Sequence, residues 1–113
     1  MSFEACLDAV VVRRGPVVHL LLSGELDYGG ACILRDAVND ALADPHIRRL
    51  DIDAALVSFC DANGAGSLLQ AWAHSTRNGV TLRVVRESPQ VRRLLEITRR
   101  RHLLVPPAGE PCL

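Results

Sequence analysis

Runs of β-branched and aliphatic residues alternate along this chain with stretches whose apolar residues recur at helical spacing, and turn residues separate them. That alternation restricts the chain to folds in which helices connect the strands of one sheet. Val10-Val11-Val12 and Val17-Val18-His19-Leu20-Leu21-Leu22 flank Arg14-Gly15-Pro16, which predicts an opening β-hairpin. Gly24-Glu25-Leu26-Asp27-Tyr28-Gly29-Gly30 breaks the pattern. Ala31, Leu34, Val38, Ala41 and Leu42 then fall on one face of a helix that Asp44-Pro45 ends. Residues 48–57 alternate as a third strand, with Leu50 and Ile52 on one face. Ser58 to Gly66 reads as a loop leading into a second helix. Leu68, Leu69, Trp72 and Ala73 form its stripe and Asn78-Gly79 its stop. Val80 to Arg86 is a fourth strand. Ser88-Pro89 supplies an N-cap and a first-turn proline for a third helix. His102 to Val105 is expected to be a last short strand and Pro106 to Leu113 a loose tail. The order ββαβαβαβ predicts one α/β domain with a mixed sheet over residues 1–105, and residues 106–113 as a flexible C-terminal tail. No internal repeat is evident.

Thirteen basic residues, all Arg, balance thirteen acidic ones. That removes any general electrostatic case for nucleic acid or anionic lipid. Without lysine there is no Schiff base and no P-loop. The charges are segregated: residues 1–61 carry five Arg and ten acids, residues 62–113 eight Arg and three acids. A chain so polarised suits docking to a partner or to itself. Cys6, Cys32, Cys60 and Cys112 lie far apart with no paired spacing, and the acidic start Met1-Ser2-Phe3-Glu4 is unlike a secretory signal. A reducing cytoplasm is the expected location, with no membrane insertion, because no apolar run approaches the ~20 residues of a span.

Candidate chemistry concentrates in Ser58-Phe59-Cys60-Asp61-Ala62-Asn63-Gly64-Ala65-Gly66, where a strand feeds a helix. Asp61 or Asn63 can cap that helix, while Gly64 and Gly66 each weaken its first turn by ~1 kcal/mol relative to Ala. Such glycines are tolerated where another backbone must come close. Cys60, like Cys6 and Cys32, reads as buried filler; an exposed Cys60 at a helix N-terminus would instead be open to oxidation. His19, His46, His74 and His102 have no metal-ligand spacing. Asp51 and Asp53 share a strand face, but no lysine completes a phosphotransferase site. No catalytic residue and no cofactor is therefore expected, and the chain reads as a non-enzyme. Arg99-Arg100-Arg101-His102 lacks interleaved aromatics and reads as a solvated helix end or a contact for an acidic protein.

Three segments resemble the STAS domain of the anti-sigma factor antagonist family. Val57-Ser58-Phe59-Cys60-Asp61-Ala62-Asn63-Gly64-Ala65-Gly66-Ser67-Leu68-Leu69 is similar to its signature of a strand, Phe, any residue, Asp-Ser-Ser-Gly and a Leu-rich helix. Leu22-Ser23-Gly24-Glu25-Leu26-Asp27 is similar to its Gly-Glu-Leu-Asp turn, and residues 88–98 to its third-helix segment. The resemblance covers about residues 5–105 and implies a mixed sheet with helices mainly on one face. It also implies protein binding: the antagonist binds an anti-sigma factor of the histidine-kinase-like ATPase type, a Ser/Thr kinase, and so frees a sigma factor. That kinase phosphorylates the first Ser of Asp-Ser-Ser-Gly. Here the position is Ala62, with Asn63 in place of the second Ser, so the loop is held in its uncharged form. A phosphate would add about −1.5 to −2 charge beside Asp61.

The resemblance therefore implies a partner-binding surface of Asp27, Asp61, Ala62, Asn63, Gly64 and Gly66 that is not switchable at Ala62. Ser58 and Ser67 are the nearby hydroxyls. The alternative is a STAS subunit of a larger assembly, either an ABC lipid-transporter accessory or a stressosome-type scaffold. Pro106-Pro107-Ala108-Gly109-Glu110-Pro111 is poor material for the family's final helix. Its loss would expose apolar surface and favour a homodimer or a bound partner.

Overall fold

Gly15 turns the chain first. It takes φ +58, and with Pro16 it closes a two-residue turn between β1 (Leu7–Arg14) and β2 (Val17–Leu26). Glycine meets the demand for positive φ at the first position of such a turn. The hairpin pairs Arg14 with Val17 and runs without a register shift to Leu7 opposite Gly24. The computed structural model describes residues 7–106, so the expectations for Cys6, Cys112 and residues 107–113 lie outside the described residues.

After the hairpin come α1 (Tyr28–Leu42), β3 (Arg49–Cys60), α2 (Ala62–Arg77), β4 (Thr81–Glu87), α3 (Pro89–Thr98) and a single turn, α4 (Arg101–Leu104). The sheet order is β1-β2-β3-β4. β1 runs antiparallel to β2, whereas β2, β3 and β4 are parallel. Parallel neighbours need a crossover, and α1 and α2 provide the two required. The result is the expected α/β domain with a mixed sheet.

Period-two alternation decides which face the helices cover. Leu20 and Leu22, Leu50 and Ile52, and Leu82 and Val84 are buried, and they share one core with Leu34 and Val38 of α1, Leu68 of α2, and Val91 and Leu95 of α3. Each such side chain contributes about 1.5–3 kcal/mol on burial. The intervening residues form the other face, where Val10, Val12 and Leu21 are exposed. Asp51 is buried on that face because Arg49 and Arg83 both reach its Oδ1, at 3.1 and 3.3 Å.

Two expectations are corrected. β3 continues to Cys60, because Glu25 and Leu26 of β2 keep pairing with Phe59 and Cys60 beyond two register shifts. The expected Ser58–Gly66 loop is thus a tight corner at Asp61. The second correction concerns His102 to Val105, where the expected strand is instead α4. Arg99, in the left-handed region at φ +59, ends α3. Arg101 then donates through Nε to Glu87 Oε1 at 2.8 Å and also through Nη2, and the turn buries Leu104. A four-residue apolar run has too little period to separate these outcomes.

Candidate functional site

Two corners of the same pattern stand at the carboxyl ends of β2 and β3. Asp27-Tyr28-Gly29-Gly30-Ala31-Cys32-Ile33-Leu34 and Asp61-Ala62-Asn63-Gly64-Ala65-Gly66-Ser67-Leu68 both read Asp-x-x-Gly-Ala-x-x-Leu. The chain therefore carries a short internal repeat, contrary to the linear reading. Only four of eight positions match, and aligning the two Asp-x-x-Gly turns was the signal that would have found it.

Each Asp is the N-cap of the helix that follows. Asp27 Oδ1 accepts from Gly30 N–H and Asp61 Oδ1 from Gly64 N–H, both at 2.9 Å. The extended backbone at each cap, φ −117 and −110, is the usual N-cap conformation. Leu26 and Cys60 are register partners, so the caps that follow them lie side by side.

The glycines differ in what they face. A Cβ on Gly30 would lie 2.5 Å from Glu25 O, and one on Gly64 only 1.9 Å from Leu26 O. The close approach that Gly64 permits is therefore made within the chain, between α2 and β2. Gly66 has open space around its Cβ direction and lines a groove. Ala62 and Asn63 occupy the first two helical positions of α2 and are exposed, as is Tyr28 at the start of α1.

That groove, about 640 Å³, runs between α1 and α2. Tyr28, Ala62 and Asn63 stand at the corner end, with Cys32, Gly66, Ser67 and Gln70 also on its walls. Arg35, His74 and Arg77 add cationic or titratable groups. The site therefore combines two carboxylates, a neutral Ala62–Asn63 step and an exposed Tyr28, with a long trench beside them. That arrangement suits recognition of another protein's surface.

Cys60 is buried and its Sγ–H points to Asp61 O at 3.6 Å. Burial, then the charge of Asp61, pushes the thiol up to about 11. It is neutral at physiological pH and shielded, which removes the oxidation switch. Cys32 is corrected: it is exposed, because it falls off the buried stripe of Gly30, Leu34 and Val38. The neighbouring hydroxyls are engaged locally, Ser58 Oγ donating to Gly24 O and Ser67 Oγ to Gly64 O. Asp53 accepts from Ala55 N–H and pairs with Arg86, so the Asp51-Ile52-Asp53 carboxylates belong to the ion network of the sheet. Among the described residues no group of three His, Cys, Asp or Glu is placed to hold a metal, and no helix is long and apolar enough to cross a membrane.

Known proteins resemble the chain in the same terms. The crystal structure of an anti-sigma factor antagonist from Mycobacterium paratuberculosis matches with TM-score 0.73 and 25% identity, over 90% of this chain and 87% of that one. The anti-sigma factor antagonist SpoIIAA in its unphosphorylated form shares the fold at TM-score 0.74 and 17% identity, over 90% of both chains. A segment of SLC26A9 shares it at TM-score 0.64 and 19% identity, over 74% of this chain and 16% of that one. The family model described as "Mlab, STAS domain" matches residues 10–106. With its mixed sheet, paired corners and this family match, the chain belongs to the STAS domain family.

Proposed function

We propose that the chain is a protein-binding regulator of the anti-sigma factor antagonist kind, non-enzymatic and acting in the cytoplasm. It docks an anti-sigma factor of the histidine-kinase-like ATPase type through Asp27, Asp61, Ala62 and Asn63, together with Gly66 and the groove between α1 and α2. Gly64 serves that surface indirectly, by seating α2 against β2. The observation that carries the reading is the exposed Ala62 at the first position of α2, between a capping Asp and a neutral Asn. The surface keeps its docking chemistry, and position 62 has no hydroxyl for a kinase to modify.

The test is affinity capture from the native cytoplasm with ATP, using wild type, Ala62→Ser and Asp61→Arg. The proposal expects a kinase-like ATPase on wild type and on Ala62→Ser, phosphate only on Ala62→Ser, and loss of capture with a folded circular dichroism spectrum for Asp61→Arg. Undiminished capture by Asp61→Arg would overturn it.

The second reading is a STAS subunit of a larger assembly, an ABC lipid-transporter accessory or a scaffold. Ala62 fits it equally, since a permanent subunit needs the docking face and no phosphoserine. The matching family model is also the one described for Mlab. Capture of transport or scaffold subunits with no ATPase of the kinase type would select this reading.

A further inference from the structure

Among the described residues, the two edges of the sheet are built differently. β4 is short, carries a register shift, bears Arg83, Arg86 and Glu87, and has Glu87 tied to Arg101 of α4. These features discourage edge pairing. β1 differs in its unbroken register and its apolar middle: eight residues with no Pro and no bulge, and Val10, Val11 and Val12 at 57, 55 and 38% exposure. Its charges sit at the ends, Asp8 near one and Arg13-Arg14 at the other. A two-residue turn closes on a hydrogen-bonded pair, so alternation from Arg14–Val17 turns the N–H and C=O of Ala9, Val11 and Arg13 toward the open edge.

We propose that β1 pairs antiparallel with β1 of a second copy about a two-fold axis through Val11, joining two sheets into one of eight strands. The register follows from symmetry. A two-fold axis perpendicular to the sheet keeps each residue on its own face, so the axis passes through a residue and not between two. Centred on Val10, the pairing sets Asp8 against Val12. Centred on Val12, it sets Val10 against Arg14. Centred on Val11, it sets Val10 against Val12 and Asp8 against Arg14, each twice, all on the face opposite the helices. Only this register matches apolar with apolar and acid with base. Leu21, 41% exposed and paired with Val10 within the chain, extends the same apolar stripe on both sides of the seam. Arg13 is already held by Asp44, so it does not place a free charge beside the partner's Ala9.

Sedimentation of the full chain across a concentration series tests this, with circular dichroism on every variant to show that it is folded. The expected result is a dimer for wild type at about 100 μM or below. Asp8→Arg and Arg14→Asp, each setting like charges opposite twice, should weaken dimerisation about tenfold or more, and the double variant D8R/R14D should restore it. A wild type that stays monomeric overturns the proposal. So does a dimer whose affinity is the same in both single variants, or a double variant no tighter than either single one.

Discussion

Gly64 and Gly66 stand two residues apart in the first turns of α2, and alanine at these two positions should act with opposite sign. In a helix interior Gly→Ala gains about 1 kcal/mol from propensity alone. Gly66→Ala should realise most of that gain, since its Cβ meets nothing within 4 Å. At Gly64 the same Cβ would sit 1.9 Å from Leu26 O, 2.8 Å from Leu26 C and 3.0 Å from Leu26 Cγ. The carbonyl belongs to a central strand and cannot swing away, so α2 must lift by about 1 Å. A gap of that size forfeits a quarter to a half of each dispersion well beneath the helix. Ala65 and Leu68, both fully buried, would lose contact first. Overpacking of this kind costs about 1–3 kcal/mol or more, and the rigid carbonyl puts Gly64→Ala at the upper end. The expected net loss is about 2–3 kcal/mol, a fall in Tm of roughly 10 °C or more for a domain of this size. Urea unfolding followed by circular dichroism measures both variants. The m-value should stay constant while the midpoint moves down for Gly64→Ala and up for Gly66→Ala. A Gly64→Ala midpoint within error of wild type, or the same sign at both positions, would refute the argument.

Two further perturbations test the sheet and the core. Asp51→Ala leaves Arg49 and Arg83 facing each other on the outer face of the sheet, so it should cost about 3–5 kcal/mol; a Tm unchanged by the substitution would show that the network contributes nothing. The Cys60 thiol is raised from 9.0 to about 11 in the folded chain, so its contribution is fully present below pH 9 and is lost as pH rises through 11. Wild type should therefore lose on the order of 2 kcal/mol more stability than Cys60→Ala over that window, read from urea midpoints; parallel curves for the two would contradict the shielded thiol.

Much of the fold was written in local chemistry. Arg14-Gly15-Pro16 specified the hairpin, Asp44-Pro45 and Asn78-Gly79 marked the ends of α1 and α2, and Ser88 did cap α3 by accepting from Val91 N–H. What escaped the linear reading depended on distant partners. Ser58, Phe59 and Cys60 continue β3 only because β2 lies beside them. The run from His102 to Val105 becomes helical because Arg101 finds Glu87 and Leu104 finds the core. In the candidate site, Asp61 was legible as one of two possible caps, and its bond from Gly64 N–H selects it over Asn63. The need for glycine at position 64 was not, since it is set by the carbonyl of Leu26, far away in the chain.

The paired caps also constrain how docking and folding can be separated. Asp27 and Asp61 each satisfy a helix N–H, so replacing either with Ala removes about 1 kcal/mol of capping along with a carboxylate. Asn caps as well as Asp, so an Asp→Asn change at either position removes charge and leaves the corner in shape. Arg removes both. A partner that reads charge loses affinity with Asn and Arg alike, whereas a partner that reads only shape loses it with Arg alone. Because Ala62 carries no hydroxyl, the charge of this corner does not change by phosphorylation there. The proposed pairing through β1 sets two corners on one particle without hiding either: the two-fold axis sends the carboxyl ends of β2 and β3 of the two copies in opposite directions. One corner then stands at each end of the joined sheet, and a dimeric partner able to span it would bind by two sites at once, with an effective concentration set by that geometry.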